Sequence, residues 1–138
     1  MKFNNGKELL DLCSKENLMI SDIMIKLEMN NYNKTEDEVF AQMHKSFIIM
    51  KNAVHKSLTE DIKSMGGLIG GEAKKLTNFR NSSAKTVCGD LMNKAMAAAM
   101  GTMEVNASMG LIVAAPTAGS CGVAKERMDD VENLDCKD

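Results

Sequence analysis

Residues 106–122 read NASMGLIVAAPTAGSCG and carry no charged side chain. The stretch holds the only proline, three of the ten glycines and one of the four cysteines. A surface loop normally carries charge, so this composition predicts a buried apolar segment that ends at Cys121. Leu111 to Ala114 is short enough to be a single buried strand. Because Ser120 and Gly122 are small, they allow a ligand to approach the main chain and the Cys121 thiolate to reach a metal.

A second small-residue stretch, GGLIGGEAKKL, covers residues 66–76. A nucleotide-binding P-loop is excluded because Glu72 and Ala73 follow the last glycine in place of Lys and Ser or Thr, and G-x-G-x-x-G is absent. Two interpretations remain open. In one, amides at the start of a helix bind a carboxylate, with Lys74 and Lys75 neutralising it. In the other, the loop is a turn between helices and the lysines are solvated.

The remaining sequence is helical in pattern, and the fold class predicted is mainly α. Thr35 and Glu38 form a capping box, and apolar residues recur behind it every three or four positions. This pattern predicts one helix over residues 35–58. We expect its buried side to contain Met43, Phe47, Met50 and Val54.

Other helix limits follow from local signals. Asn17 predicts a break after a first helix, and Ser21 is the expected N-cap of a second. A helix is expected to start near Glu72 and another near Ser82 or Ser83. The last of these presents a side of small residues, which predicts close helix packing or contact with another subunit; that side holds Leu91, Ala95, Ala98 and Thr102.

Length and charge restrict the function classes. A chain of 138 residues forms one domain at most, and a net charge of −2 argues against nucleic acid or an anionic membrane surface as partner. No apolar run approaches the 18 or so residues of a membrane span, and Glu8 and Asp11 interrupt any signal-peptide core. A cytoplasmic location is therefore expected. The four cysteines form no C-x-x-C pair, so a zinc ribbon and a thioredoxin-like site are not indicated.

The segment ending PTAGSCG, with Glu104 and Val105 before residue 106, resembles a signature of the iron-sulfur-dependent L-serine dehydratases (L-serine ammonia-lyases). Two other stretches are similar to the alpha subunit of that family. They are KELLDLCSKENLMISDIMIKLEM at residues 7–29 and the glycine-rich GGLIGGEAKKL, where Glu72 stands in the usual Asp position. The resemblance runs collinearly over residues 3–123 and ends before an unmatched acidic tail at residues 124–138.

This resemblance implies a helical catalytic domain, incomplete here, that converts L-serine to pyruvate and ammonia without pyridoxal phosphate. In the family three cysteines bind a [4Fe-4S] cluster whose open iron polarises the serine hydroxyl. Cys121 matches one of these ligands, and the other two lie downstream of the matched region. Cys136 lies in the unmatched tail, whereas Cys13 and Cys88 are expected to serve packing. The catalytic base is not identified, and Ser83-Ala84-Lys85 lacks the context of a pyridoxal-phosphate lysine.

The resemblance also implies substrate contacts. The residues assigned to L-serine are Gly66, Gly67, Gly70, Gly71, Lys74, Asn106, Ser108, Thr117 and Ser120. The alternative for the last four is that they form hydrogen bonds internal to the fold. The expected partners are L-serine and either a beta subunit or the downstream half of the alpha subunit, with no nucleic acid and no membrane. The rival hypothesis is a truncated or frameshifted helical fragment, or an interaction subunit, without catalytic activity.

Overall fold

The structure is a computed structural model that describes residues 2–82 and 87–135. Within these ranges it contains helices and no strand, which confirms the mainly α prediction. The helices are α1 Gly6–Glu16, α2 Ile20–Tyr32, α3 Glu36–Thr59, α4 Glu72–Asn81, α5 Gly89–Ala107 and α6 Ala118–Asp135. None of the described helices is both long enough and apolar enough to cross a lipid bilayer.

Polar side chains set several helix ends. Asn17 ends α1 in the left-handed conformation at φ 52°, as its sequence position predicts. The capping box of α3 is confirmed, because Glu38 accepts from the Thr35 amide at 2.8 Å and Thr35 accepts from the Glu38 amide at 3.3 Å. The prediction that Ser21 caps α2 is wrong. That helix begins at Ile20, where Asp22 accepts a hydrogen bond from the Met19 amide at 3.0 Å.

The chain divides into two compact units, with the boundary after Lys45. In the first unit α1 contacts α2, and Ile23 and Val39 are buried. In the second unit α5 packs against both α4 and α6. One apolar cluster of its core contains Ala53, Ile62 and Val105, with Ile112 packed against them.

Small residues allow the helices of the second unit to approach closely. A Cβ atom on Gly101 of α5 would lie 2.7 Å from Cβ of Ser57 and 3.3 Å from Cβ of Ala73. A Cβ atom on Gly122 of α6 would lie 2.6 Å from the carbonyl carbon of Ala98. The expected close packing of α5 is therefore confirmed. Its buried side consists of Asn93, Ala97, Ala98, Gly101, Thr102, Glu104 and Val105, whereas Leu91 is exposed.

Helix α3 lies within one residue of its predicted limits at both ends, but not all of the side chains predicted to be buried are buried. Val54 is buried and Phe47 and Met50 are half-buried, whereas Met43 is 57% exposed. An apolar stripe identifies one side of a helix, but burial also requires another element against that side. The expected helix start at Ser82 is also wrong, because Ser82 caps the end of α4. Ser83 lies outside the described residues.

The segment before α6 is less buried than its composition predicts. Ile112 packs against the core, but Leu111 is 73% exposed and Met109 and Ala114 are exposed as well. Half-buried and exposed positions are interspersed along residues 109–115, so only part of this segment contacts the core. The prediction of a buried apolar segment is therefore wrong for Met109, Leu111 and Ala114, and no strand forms at residues 111–114. Burial is complete only at its end, at Cys121.

The close packing at Gly101 predicts a stability difference between two glycines. We expect Gly101→Ala to lower the free energy of unfolding by about 1–3 kcal/mol, because the added methyl overlaps Ser57 and Ala73. Gly119→Ala in α6 is the matched control, since nothing lies within 4 Å of its added Cβ. Urea unfolding at neutral pH measures both. Equal stability of the two variants would contradict the packing described here.

Candidate functional site

An open cavity of about 470 Å³ lies in the second unit. Its lining residues come from the glycine-rich loop and the start of α4, from α5, and from the first turn of α6. They are Ile69, Glu72, Ala99, Met100, Met103, Glu104 and Gly119. The cavity thus brings the glycine-rich loop next to the PTAGSCG segment, two stretches that are distant in the sequence. Its wall is mostly apolar, and the two titratable side chains among its lining residues are both carboxylic.

Glu104 binds the start of α4 from the neighbouring helix. Its side chain is only 2% exposed. Oε1 accepts a hydrogen bond from the Ala73 amide at 2.9 Å, and Oε2 accepts one from the Gly71 amide at 3.1 Å. The first amides of a helix have no partner within the helix, and they carry partial positive charge. The carboxylate satisfies two of these donors, which offsets the cost of its own burial.

Glu72, half-buried at the start of α4, accepts a hydrogen bond from the Gly70 amide at 2.7 Å. Hydrogen bonds from its own amide and from that of Gly70 lower the pKa of this carboxyl below its usual 4.5. A hydrogen bond with the Glu104 carboxyl and the charge of Lys75 lower this pKa further, whereas burial opposes the shift.

The glycine-rich loop is closed by its own hydrogen bonds. Ser64 donates its amide to the Ile69 carbonyl at 2.8 Å, and Gly67 donates to the Ser64 carbonyl at 2.9 Å. Gly70 has φ 145°, and a side chain there would overlap the Ile62 carbonyl, so this position requires glycine. The anions bound by the Gly70 and Gly71 amides are the carboxylates of the protein itself. Binding of a substrate carboxylate at these amides stays a prediction.

Four of the other residues predicted to contact the substrate have partners within the protein. Lys74 forms an ion pair with Asp61 at 2.9 Å and does not line the cavity. Thr117 and Ser120 cap α6 reciprocally: the Thr117 amide donates to Ser120 Oγ at 3.0 Å, and the Ser120 amide donates to Thr117 Oγ1 at 3.2 Å. Ser108 donates its hydroxyl to the Val105 carbonyl at 2.8 Å. The internal hydrogen bonds of Ser108, Thr117 and Ser120 agree with the structural alternative for these residues. Asn106 is exposed.

Cys121, the fourth residue of α6, is fully buried. Burial raises the pKa of its thiol, and a hydrogen bond from the Val113 amide to the sulfur partly offsets this rise. The amide of Cys121 donates to the Thr117 carbonyl at 3.0 Å, which continues the helix. A buried thiol with a raised pKa stays protonated at neutral pH until a metal replaces the proton.

A family model described as serine dehydratase alpha chain matches residues 15–129. The chain belongs to the serine dehydratase alpha chain family. It is 44% identical over 121 residues to a probable L-serine dehydratase alpha chain of Bacillus subtilis, covering 88% of this chain and 40% of that protein. It is 39% identical over 120 residues to the L-serine dehydratase alpha chain of Peptoniphilus asaccharolyticus, covering 87% and 41%.

An L-serine dehydratase of Streptomyces coelicolor is 31% identical over 126 residues, covering 88% of this chain and 26% of that protein. The chain therefore spans about two fifths of the length of the two alpha chains it matches. No solved structure matches the chain.

The iron-sulfur cluster implied by the family resemblance requires several thiolates. Among the side chains that the structure describes, which end at residue 125 apart from residue 128, no three His, Cys, Asp or Glu groups converge on a common point. Cys13 is half-buried, Cys88 is exposed, and Cys136 is outside the described residues. The described residues thus do not form a complete cluster site, and Cys121 offers a single ligand.

Sequence reasoning missed Glu104 as a residue of the site, although a signal was present. Glu104 shares a side of α5 with Ala97 and Gly101, so a charged residue lies on a helix side that is otherwise built for close packing. A charge in such a position must find hydrogen-bond donors when the side is buried. The donors are the amides of α4, and the sequence does not show that α4 lies there.

The hydrogen bonds of Glu104 predict that the protein becomes less stable when this side chain is removed. We expect Glu104→Ala to lower the free energy of unfolding by about 1–3 kcal/mol, because the Gly71 and Ala73 amides lose their acceptors. Glu104→Gln keeps one acceptor oxygen and is expected to lose less. Urea unfolding at pH 7 compares the three proteins. A stability of Glu104→Ala equal to that of the wild type would show that these hydrogen bonds contribute nothing.

The lowered pKa of Glu72 predicts a pH dependence of stability. As the pH falls, the unfolded chain binds a proton at this carboxyl before the folded chain does. The contribution of Glu72 is therefore fully present above its usual pKa of 4.5 and is lost as the pH falls through its lower folded-state pKa. We expect the difference in Tm between wild type and Glu72→Gln to shrink progressively below pH 4.5. Thermal unfolding from pH 7 to pH 3 measures it, and a difference independent of pH would contradict this account.

Proposed function

We propose that the chain is the N-terminal part of an L-serine ammonia-lyase, which converts L-serine to pyruvate and ammonia. The observation that carries this proposal is the shared cavity. Glu72, from the glycine-rich stretch, and Gly119, from PTAGSCG, line the same space although they are far apart in the sequence. These are two of the stretches on which the resemblance to the family depends. We infer L-serine as the substrate from the names of the relatives, which are L-serine dehydratase alpha chains.

The cavity is suited to the polar groups of an amino acid. The ammonium group of serine is complementary to the carboxyl groups of Glu72 and Glu104, which line the cavity. Its carboxylate could bind the Gly70 amide only by displacing Glu72 from it. The half-buried Glu72 is easier to displace than Glu104, which is buried and doubly hydrogen-bonded. We therefore infer that any carboxylate subsite in the loop forms at Gly70 and leaves Gly71 bound to Glu104.

We propose Cys121 as one thiolate ligand of a [4Fe-4S] cluster whose other ligands come from polypeptide outside the described residues. A bound cluster supplies a Lewis acid for the serine hydroxyl. The chain contributes a thiol sheltered from water and fixed at the start of α6. Pyridoxal phosphate plays no part in this proposal, and Ser83-Ala84-Lys85 lies outside the described residues. A beta chain or the remainder of the alpha chain is the proposed partner, and the cytoplasm is the proposed location.

A second candidate is supported by the incomplete ligand set. The described residues offer one buried thiol, and the chain spans about two fifths of its alpha-chain relatives. Both facts are equally compatible with a non-catalytic fragment or an interaction subunit. The two candidates differ in one respect. In the first, this chain restores catalysis when the missing polypeptide is supplied, and in the second it does not.

Anaerobic reconstitution with iron and sulfide separates the candidates. We expect the 138-residue chain alone to show neither a stoichiometric cluster nor deamination of L-serine, because Cys121 is a single ligand. Addition of the remaining part of the Bacillus subtilis alpha chain, together with a beta chain, should restore both. Cluster absorbance and pyruvate release are the measurements.

Two variants give the controls for this experiment. Cys121→Ala should abolish the restored cluster and activity, whereas Cys88→Ala, at an exposed cysteine, should retain both. Turnover of L-serine by the chain alone would show that the ligand set is complete without further polypeptide. A restored activity that survives Cys121→Ala would remove Cys121 from the cluster.

A further inference from the structure

Helix α5 has a second side, opposite its buried one, that is apolar and exposed. We call it the methionine face; it consists of Met92, Met96, Ala99, Met100 and Met103. At 100° per residue these five positions fall within about a third of the helix circumference. The four methionine side chains are between 39% and 53% exposed. The buried residues of α5 occupy the other side.

The methionine face is unusual for a helix side in contact with water. A solvent-facing side normally carries charged or polar residues, and a continuous exposed apolar surface marks an interaction site. The charged residues of α5 lie elsewhere on the helix. Asp90 pairs with Lys94 at 3.6 Å and with Arg80 at 3.4 Å, and Glu104 is buried. The methionine face therefore contains no charged side chain that would be stabilised by contact with water.

The methionine face continues into the cavity. Ala99, Met100 and Met103 line that space together with the exposed side chain of Ile69 and with Gly119. The apolar surface thus extends from the side of α5 to the residues proposed to contact the substrate. A polypeptide that covered the face would therefore contact residues that also line the cavity.

We propose that the methionine face is the docking surface for the remainder of a serine dehydratase alpha chain. The chain covers 40% of the Bacillus subtilis relative, so about three fifths of such an alpha chain has no counterpart here. An uncharged apolar surface fits a segment that folds with this chain permanently, because permanent interfaces are the most hydrophobic ones. The proposal rests on membership of the family and not on the proposed reaction.

Methionine oxidation tests this proposal, since exposed thioethers are converted to sulfoxides and covered ones are protected. The isolated chain and its mixture with the remaining part of the Bacillus subtilis alpha chain are treated with dilute hydrogen peroxide and compared by mass spectrometry. We expect the four methionines of the face to react about tenfold more slowly in the mixture. Met19 and Met43, which are 70% and 57% exposed in the first unit, serve as controls and should react at unchanged rates.

Two variants test the same surface by affinity. Met100→Lys combined with Met103→Lys should weaken co-purification with the missing polypeptide by about 100-fold, because two unpaired charges would be buried in the interface. Met43→Lys makes the same chemical change at an exposed position outside the face and should leave binding unchanged. Circular dichroism of the free variants confirms that each remains helical. If a separately expressed segment fails to fold, the oxidation comparison is made on a fusion of this chain to it.

Three outcomes would overturn the proposal. One is equal oxidation of the face with and without the added polypeptide, in the mixture and in the fusion. Another is protection in the isolated chain that rises with its concentration, which would assign the face to a second copy. The third is protection by a beta chain alone. Each is distinguishable from a failure of the proposed reaction, because neither oxidation nor binding depends on serine turnover.

Discussion

The second unit depends on the buried carboxylate of Glu104. A charged group loses its hydration on burial, and the loss is tolerable only where hydrogen-bond donors replace water. Those donors are two free amides at the start of α4, which has no other cap from a side chain. The interaction fixes α4 against α5 and places the glycine-rich loop beside them. The position of Glu72, and with it the polar part of the cavity, follows from this arrangement.

The two sides of α5 serve different purposes, and both depend on small or flexible residues. Gly101 and Ala98 allow Ser57, Ala73 and Gly122 to lie close to the helix backbone. This close approach brings the first turns of α6, including Gly119, next to the cavity. Methionines on the other side remain partly exposed, and their unbranched side chains adapt to whatever surface covers them.

Local sequence signals predicted where helices begin and end more reliably than they predicted which side chains are buried. The Thr35 capping box and the Asn17 helix end act within four residues, so they hold in any tertiary context. Met43 and Leu111 were expected to be buried because they are apolar, but exposure depends on which element lies opposite. Likewise, Thr117 and Ser120 attract attention as polar residues in an apolar stretch, and the structure uses them to cap α6. The type of a residue thus indicates where it prefers to lie, but not which residues it contacts.

The sequence by itself determined the helical class, the glycine-rich loop and the family, because spacing, turn chemistry and motif similarity are properties of the chain alone. It also singled out Cys121 as a candidate metal ligand, which stays a prediction. Only the tertiary structure decided that Glu104 caps α4 and that the amides of Gly70 and Gly71 already bind carboxylates. It also decided that the methionine face remains open. The physical reason is that the hydrogen bonds of Glu104 join residues 31 and 33 positions apart, so they form only once α4 and α5 are packed. Exposure of the methionine face likewise depends on which elements lie against α5.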